Sequence, residues 1–483
     1  MTLKTNRRNF LKGTAAAAAT GYWVLGRQTW ADEIKSKSPN EKVNFASIGI
    51  GGKGDSDSEH VGKNGNLVAI CDVDTARLAK KNEKYAKAKS FTDFREMFDK
   101  MGKEFDAVTI STPDHTHAIA TMMAIKLGKH VYTQKPMTHD IWEARQLRLA
   151  AADAKIATQM GNQGTASPKL REGVEMIQAG VLGDVTEVHI WTNRPVWPQS
   201  PVIKARPPEA KVPETLKWDL WLGSAPERPY GEKFYHPFNW RGWWDYGTGA
   251  LGDMGCHTAN LPFMALKLGH PTSVVGSSEE LNTETYPAWG RATFEFPARG
   301  QMPPVTVNWY EGKKDGKLVH PPEELTSKIL SEYAIVKAEQ AKKNPPKKAD
   351  KNADKMPTLN NSGCIIVGSK GMLYSPHDYG GEWYLLPAEK FADYKAPPQT
   401  LARNGKGDDE AQKLEWIAAI KGGPKAFANF DYAGMLTEFI LLGNIGILGQ
   451  GKKLEWDGPN MKFTNAPDFD KHLKRTYRAP WKI

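Results

Sequence analysis

A chain of 483 residues is long enough for two or three domains. Its formal net charge of +10 is concentrated in two places: residues 1–31 hold Lys4, Arg7, Arg8, Lys12 and Arg27 with no acid, and residues 337–355 hold seven lysines against Glu339, Asp350 and Asp354. The near-neutral remainder argues against a nucleic-acid surface, which needs a basic stripe on folded elements, and an odd, sparse set of cysteines (Cys71, Cys256, Cys364) gives no disulfide framework.

The chain opens on an export pattern. Arg7 and Arg8 precede Phe10, Leu11 and Lys12, and an alanine-rich apolar run follows, too short to span a bilayer. This is the twin-arginine signature, and it places the protein outside the cytoplasm, in the periplasm, with the export machinery as a partner. Residues 1–31 read as the signal, with cleavage after Ala31, and residues 32–41 as a polar linker.

From residue 42 the pattern alternates. Strands are expected at 43–50, 67–74, 106–112, 130–136 and 156–162, with helices over 75–88, 117–129 and 141–154 and another after the first strand. Strands separated by helices of this length give a parallel, doubly wound sheet, so residues 42–162 read as a Rossmann domain. Past Gly164 the texture changes. A helix is expected at 167–180, and strands at 185–192, 291–296, 304–310, 364–369 and 371–376. Few helices intervene, so residues 163–446 read as an α/β domain with a large, open, mostly antiparallel sheet. Two inserts interrupt it: an aromatic, Pro-rich loop at 197–246 and a charged, solvated one near 311–360. A final apolar helix covers 435–448, and residues 447–483 form an extended tail.

The run "GIGGKG" sets Gly49, Gly51 and Gly54 where a strand ends and a helix begins, with Asp72 at the end of the second strand. Such glycines let a pyrophosphate approach the backbone and the helix N-terminus, and the acid receives the ribose hydroxyls. Asp72 would repel a 2′-phosphate, so NAD is expected over NADP. Asp74 is the weaker ribose ligand and reads as the cap of the next helix.

Three further motifs follow in order: "TPDHTH" (112–117), "YTQKP" (132–136) and "GALGDMGCH" (249–257). Together with the glycine loop they resemble the Gfo/Idh/MocA family of glucose–fructose oxidoreductases, inositol dehydrogenases and rhizopine-catabolism proteins. The segment from Gly451 to Trp481 is similar to an exported bacterial branch of it. The resemblance implies an oxidoreductase built from a Rossmann domain and an α/β domain whose sheet packs against the cofactor. It implies Lys135 as base or proton relay, with an unusual Lys–Pro peptide geometry, and Asp253 and His257 as its partners facing substrate hydroxyls. The family's usual Glu-Lys-Pro is here Gln134-Lys135-Pro136, so one potential carboxylate partner of Lys135 is missing.

The residues themselves support that chemistry. Lys135 follows a strand at the sheet's carboxyl edge, where ligands of such sheets bind. Asp253 and His257, four apart, share a helix face, and histidine is a natural proton carrier. Thr112, His115, Gln134, Lys135 and Gln163, with Asn162, are expected beside the cofactor. His115 and His117, without an acid or cysteine cluster, give no metal site. Ten aromatic residues between Trp218 and Tyr246 are expected mostly to pack, with one or two stacking on a sugar. Asn239, Arg241 and Trp243 are the candidate substrate contacts, with Asp245 as a further source of hydroxyl contacts.

The substrate class is therefore a sugar, glycoside or polyol. Export favours a tightly held NAD, loaded before translocation and recycled in a redox-neutral reaction. A non-catalytic carbohydrate-binding or sensing protein on the same fold is the alternative reading. A broad open sheet that needs covering also suggests a homo-oligomer.

Overall fold

The computed structural model describes residues 42–343 and 357–483; the export signal, its cleavage site, the linker before residue 42 and most of the lysine run lie outside them. Six strands form the first sheet: β1 (Asn44–Ile48), β2 (Asn66–Cys71), β3 (Lys89–Phe91), β4 (Ala107–Ile110), β5 (His130–Thr133) and β6 (Thr158–Met160). They are all parallel, in the order β3-β2-β1-β4-β5-β6. The order reverses between β1 and β4, the crevice in which open α/β sheets bind dinucleotides.

The second sheet contains β7 (Val185–Thr192), β8 (Ser273–Ser278), β9 (Trp289–Phe296), β10 (Val305–Lys314), β11 (Lys317–Leu318), β12 (Gly363–Gly368), β13 (Gly371–Ser375), β14 (Tyr384–Leu386), β15 (Leu454–Asp457) and β16 (Lys462–Phe463). Its order is β14-β13-β12-β7-β10-β9-β8-β15-β16, with β11 hairpinned onto β10. Only the β7–β10 pair is parallel. One face is covered by the helices Pro168–Gln178, Gly249–Thr258 and Phe430–Leu448, through Val188, Ile190, Phe294, Leu251 and Phe439. The Phe430–Leu448 helix is apolar all round because it is buried between this sheet and the Ile141–Ala154 helix. Among the described residues no helix is long and apolar enough to cross a membrane.

Three segments depart from the sequence reading. The charged insert is not all loop: Glu323–Lys343 is a helix, and its Ile329 and Tyr333 pack on Tyr374 and Tyr384 against the sheet's second face. Nor is the tail simply extended. It supplies β15 and β16 to the sheet and then returns to the nucleotide-binding half, where Trp481 meets Phe94 and Arg475 pairs with Glu143. The Asp409–Ile420 helix also crosses back, placing Trp416 against Phe45 and Tyr132 on one face of the parallel sheet. The first sheet is thus completed by residues far along the chain.

Candidate active site

Gly49 ends β1 with φ 74°, a left-handed turn that glycine adopts without strain. A Cβ on Gly54 would sit 1.9 Å from the Gly49 carbonyl oxygen, so only glycine lets the helix Lys53–Asn64 begin so close to the strand. Gly51 lies under the Arg77 side chain, whose guanidinium is 3.9 Å from Asp72. Asp72 is buried at the end of β2. Its carboxylate accepts from the Ile50 N–H at 3.0 Å and the Asp74 N–H at 2.9 Å, and burial pushes its pKa up. Asp74 itself accepts from the Ala76 N–H and caps the next helix. This cradle fits a dinucleotide. Gly54→Ala is expected to leave the purified protein without bound NAD, read by mass spectrometry of the released cofactor.

Across the crevice, Thr112 follows β4. Its hydroxyl accepts from Thr116 at 2.7 Å. His117 is buried between two carbonyls, Thr112 O and Pro136 O, each 2.8 Å from a ring nitrogen, and so ties the β4 loop to the Lys135–Pro136 segment. That peptide is cis. His115 packs its ring into the aromatic insert. It is fully buried, its Nε2 is 2.9 Å from Trp221 O, and its ring lies between Trp221 and Tyr246; burial takes its pKa down to about 3. The aromatic insert thus holds this side chain. Gln163 is half-buried and opens a short 3-10 helix, Gln163–Ala166. Its neighbour Asn162 is buried with neither amide atom partnered among the described residues, the pattern of a group awaiting a ligand.

Gln134 donates to buried Asp57 at 2.7 Å. Asp57 also accepts from Ser111 at 2.8 Å and pairs with Lys413 at 2.8 Å and Lys53 at 3.1 Å. An amide therefore suits this position, where a glutamate would face a buried carboxylate. Burial alone would raise the Asp57 pKa, but Lys413 and Lys53 bring it down to about 2 from an ordinary 3.8. This carboxylate contributes stability above the unfolded-state value that is lost as pH falls through about 2. Acid unfolding of Asp57→Asn, followed by circular dichroism, is expected to lose that part of the pH dependence.

The partner that the Gln134-Lys135-Pro136 variation takes from Lys135 is supplied from the other domain. Lys135 Nζ donates to Asp253 Oδ1 at 2.9 Å and to the Asp253 carbonyl at 2.5 Å. The helix Gly249–Thr258 approaches closely because Gly252 has no side chain; a Cβ there would overlap Thr248 Oγ1 and lie 3.4 Å from Pro136. Arg241 Nε reaches Asp253 Oδ1 at 3.2 Å, and Arg194 Nε reaches Oδ2 at 3.6 Å. Burial would raise the Asp253 carboxyl, but Lys135, Arg241 and Arg194 hold it well below the ordinary range. One turn on, His257 is buried with Nδ1 unpartnered, and burial, then the Lys135 cation, press its pKa well below the usual value. Asp253 is thus a fixed anion and His257 a neutral imidazole.

Of the candidate substrate contacts, Arg241 alone is joined to this group. Asn239 donates to the Lys233 carbonyl at 2.7 Å and ties its own loop. Trp243 is fully buried with Nε1 donating to Phe234 O, so it cannot stack on a ligand and is corrected to a packing residue. Trp221, Tyr235, Trp240 and Tyr246 join it in one cluster. Asp245 pairs with buried Arg228. Sequence reasoning missed Arg194, which follows β7, and Tyr379, whose ring meets that of His257 edge-on at 4.6 Å. Tyr379 lies in the β13–β14 loop beside Gly164, a proximity of distant segments that no local pattern signals.

Residues 43–162 match the oxidoreductase family GFO/IDH/MocA, NAD-binding Rossmann fold, and residues 168–302 match that family's C-terminal alpha/beta domain. Residues 4–21 match the TAT (twin-arginine translocation) pathway signal sequence, which implies export by that machinery. Among curated relatives, the chain is 28% identical over 197 residues to a glycosyl hydrolase family 109 protein of Solibacter usitatus, covering 38% of this chain and 44% of that one. It is 25% identical over 183 residues to inositol 2-dehydrogenase 3 of Saccharopolyspora erythraea, covering 36% and 53%. The chain thus spans about half the length of these relatives. In fold it is similar to the WlbA dehydrogenase of Chromobacterium violaceum, solved with NADH and UDP-GlcNAcA, with TM-score 0.57, 15% identity, and 86% and 97% of the two chains covered. It is also similar to the aldose-aldose oxidoreductase of Caulobacter crescentus, with TM-score 0.52, 15% identity, and 86% and 100% covered.

Proposed function

The chain belongs to the Gfo/Idh/MocA family of NAD-binding oxidoreductases, and from that premise we propose that it oxidises a hydroxyl of a sugar, glycoside or polyol in the periplasm with an NAD that it keeps and recycles. The observation that carries this reading is the Lys135–Asp253 contact at 2.9 Å, which joins the nucleotide half to the second domain at the crevice mouth. NAD bound there would supply the hydride acceptor and, on return, the donor. Asp253, locked as an anion, orients Lys135, and Lys135 holds the reacting hydroxyl oxygen. Lys135 also relays the hydroxyl proton, while neutral His257, whose uncharged form burial favours, accepts a hydrogen bond from the substrate. Asn162 and Tyr379 close the site from the other sides.

A sugar oxidised at one ring carbon has an acidified neighbouring C–H. Elimination or epimerisation becomes feasible there, followed by return of the reducing equivalents. The relatives named above include both a glycosyl hydrolase and a dehydrogenase, and the export signal favours the self-contained version. The test is to purify the mature protein from the periplasm and supply a panel of glycosides in NAD-free buffer. Many turnovers per protein are expected. A single turnover that stops at bound NADH would refute recycling, and no oxidation of any sugar would refute the function.

A further inference from the structure

The charge at the crevice mouth is unbalanced. One carboxylate, Asp253, is met by three cations: Lys135 at 2.9 Å, Arg241 at 3.2 Å and Arg194 at 3.6 Å. Asp378, beside Tyr379 at the same mouth, pairs with none of the three among the described residues; the acid facing Lys135 and Arg241 is Asp114. It is buried and accepts from Thr248 at 2.6 Å, and burial pushes its carboxyl up, towards the neutral form. The neighbouring lysines do not change the count, because Lys53 and Lys413 are matched by Asp57 and Asp409.

Arg241 Nε donates to Asp253 Oδ1, and Arg194 Nε lies 3.6 Å from Oδ2. Arg241 Nη1 donates to Phe238 O at 3.1 Å and Arg194 Nη1 to Asn193 Oδ1 at 2.5 Å; Nη2 of each has no hydrogen-bond partner among the described residues. The side chains are 24% and 27% exposed, so the free ends are open to a ligand. The Arg241 guanidinium is also fixed in place, 4.5 Å from the Phe238 ring and 4.3 Å from the Trp240 ring.

We propose that the substrate is an acidic sugar whose carboxylate docks on the free ends of Arg194 and Arg241 while its hydroxyl meets Lys135 and His257. A partly desolvated excess of positive charge is costly without a counter-ion. A carboxylate has two oxygens able to accept charge-assisted hydrogen bonds from the free Nη2 groups. Arg194 and Arg241 would then decide specificity rather than carry out chemistry. The inference rests on the proposed sugar-oxidising role of this site.

The experiment is calorimetric titration of the NAD-loaded protein with D-glucuronate, D-galacturonate, D-glucose and D-glucose 6-phosphate at low and high salt. One uronate is expected to bind at least ~10-fold more tightly than D-glucose, with the difference shrinking as salt rises. Arg194→Gln is expected to abolish the preference and Arg194→Lys to keep part of it, with NAD content showing that each variant is folded. Equal binding of uronate and glucose, a preference for the phosphate alone, or an unchanged preference in Arg194→Gln would each overturn the inference. Neutral sugars that turn over while uronates neither bind nor react would remove this inference and leave the proposed function intact. Arginine-dependent uronate binding without oxidation of any sugar would do the reverse.

Discussion

Lys135→Ala is expected to lower the turnover number on the best glycoside by roughly 10²–10⁴-fold, the range of a positioned proton-transfer group, while the purified protein still carries NAD. The glycine cradle and Asp72 lie at the ends of β1 and β2, away from Lys135 Nζ, and do not depend on it. Rapid mixing with substrate, following the NADH absorbance band, separates the two effects. A variant that keeps its NAD and turns over at the original rate would remove Lys135 from the chemistry. Asp253→Asn is expected to lower turnover less, because Lys135 keeps its bond to the Asp253 carbonyl, but to lower stability as well, because Lys135, Arg241 and Arg194 lose their shared carboxylate.

Lys413→Met is expected to destabilise the fold by about 3–5 kcal/mol, as when one partner of a buried pair is removed. Lys413 is fully buried, paired with Asp57 and Asp409 at 2.8 Å each, with the Tyr132 ring 4.8 Å away. Without it, Asp57 stays buried with Lys53 as its remaining cation. The measurement is the urea midpoint of the NAD-loaded protein. A loss below about 1 kcal/mol would mean that the pair is as weak as a surface ion pair. Because Gln134 hangs on the same carboxylate, turnover is expected to fall in this variant as well.

The nucleotide half was largely legible because its signals are local. Buried β1 and β4 are apolar runs, and the Ile141–Ala154 helix carries its capping box at Asp140 and Glu143. The edge strand β3 escaped notice because it is three residues long and offers no apolar alternation. Lys135, Asp253 and His257 were named from motifs, but their meeting depends on two domains packing, which no spacing encodes. A fully buried Lys413 is the opposite of what composition suggests for a lysine, and only its three-dimensional partners explain it. Trp243 was illegible for one reason: an aromatic-rich insert looks the same in sequence whether its rings face a ligand or one another. Arg194 was hidden in a Pro-rich stretch after β7, where local pattern says nothing about direction.

The return of the chain to its first sheet has a consequence for biogenesis. Phe45 and Tyr132 meet Trp416, Asp57 meets Lys413, and Phe94 meets Trp481, so the early half lacks its covering pieces until residues 413–481 have been made. A nascent chain cut short before them would present an export signal on a half whose sheet is uncovered and whose Asp57 lacks Lys413. The late residues thus seal the early half: a signal at residues 4–21 leads a nucleotide-binding sheet that is covered only once the far end of the chain has folded back onto it.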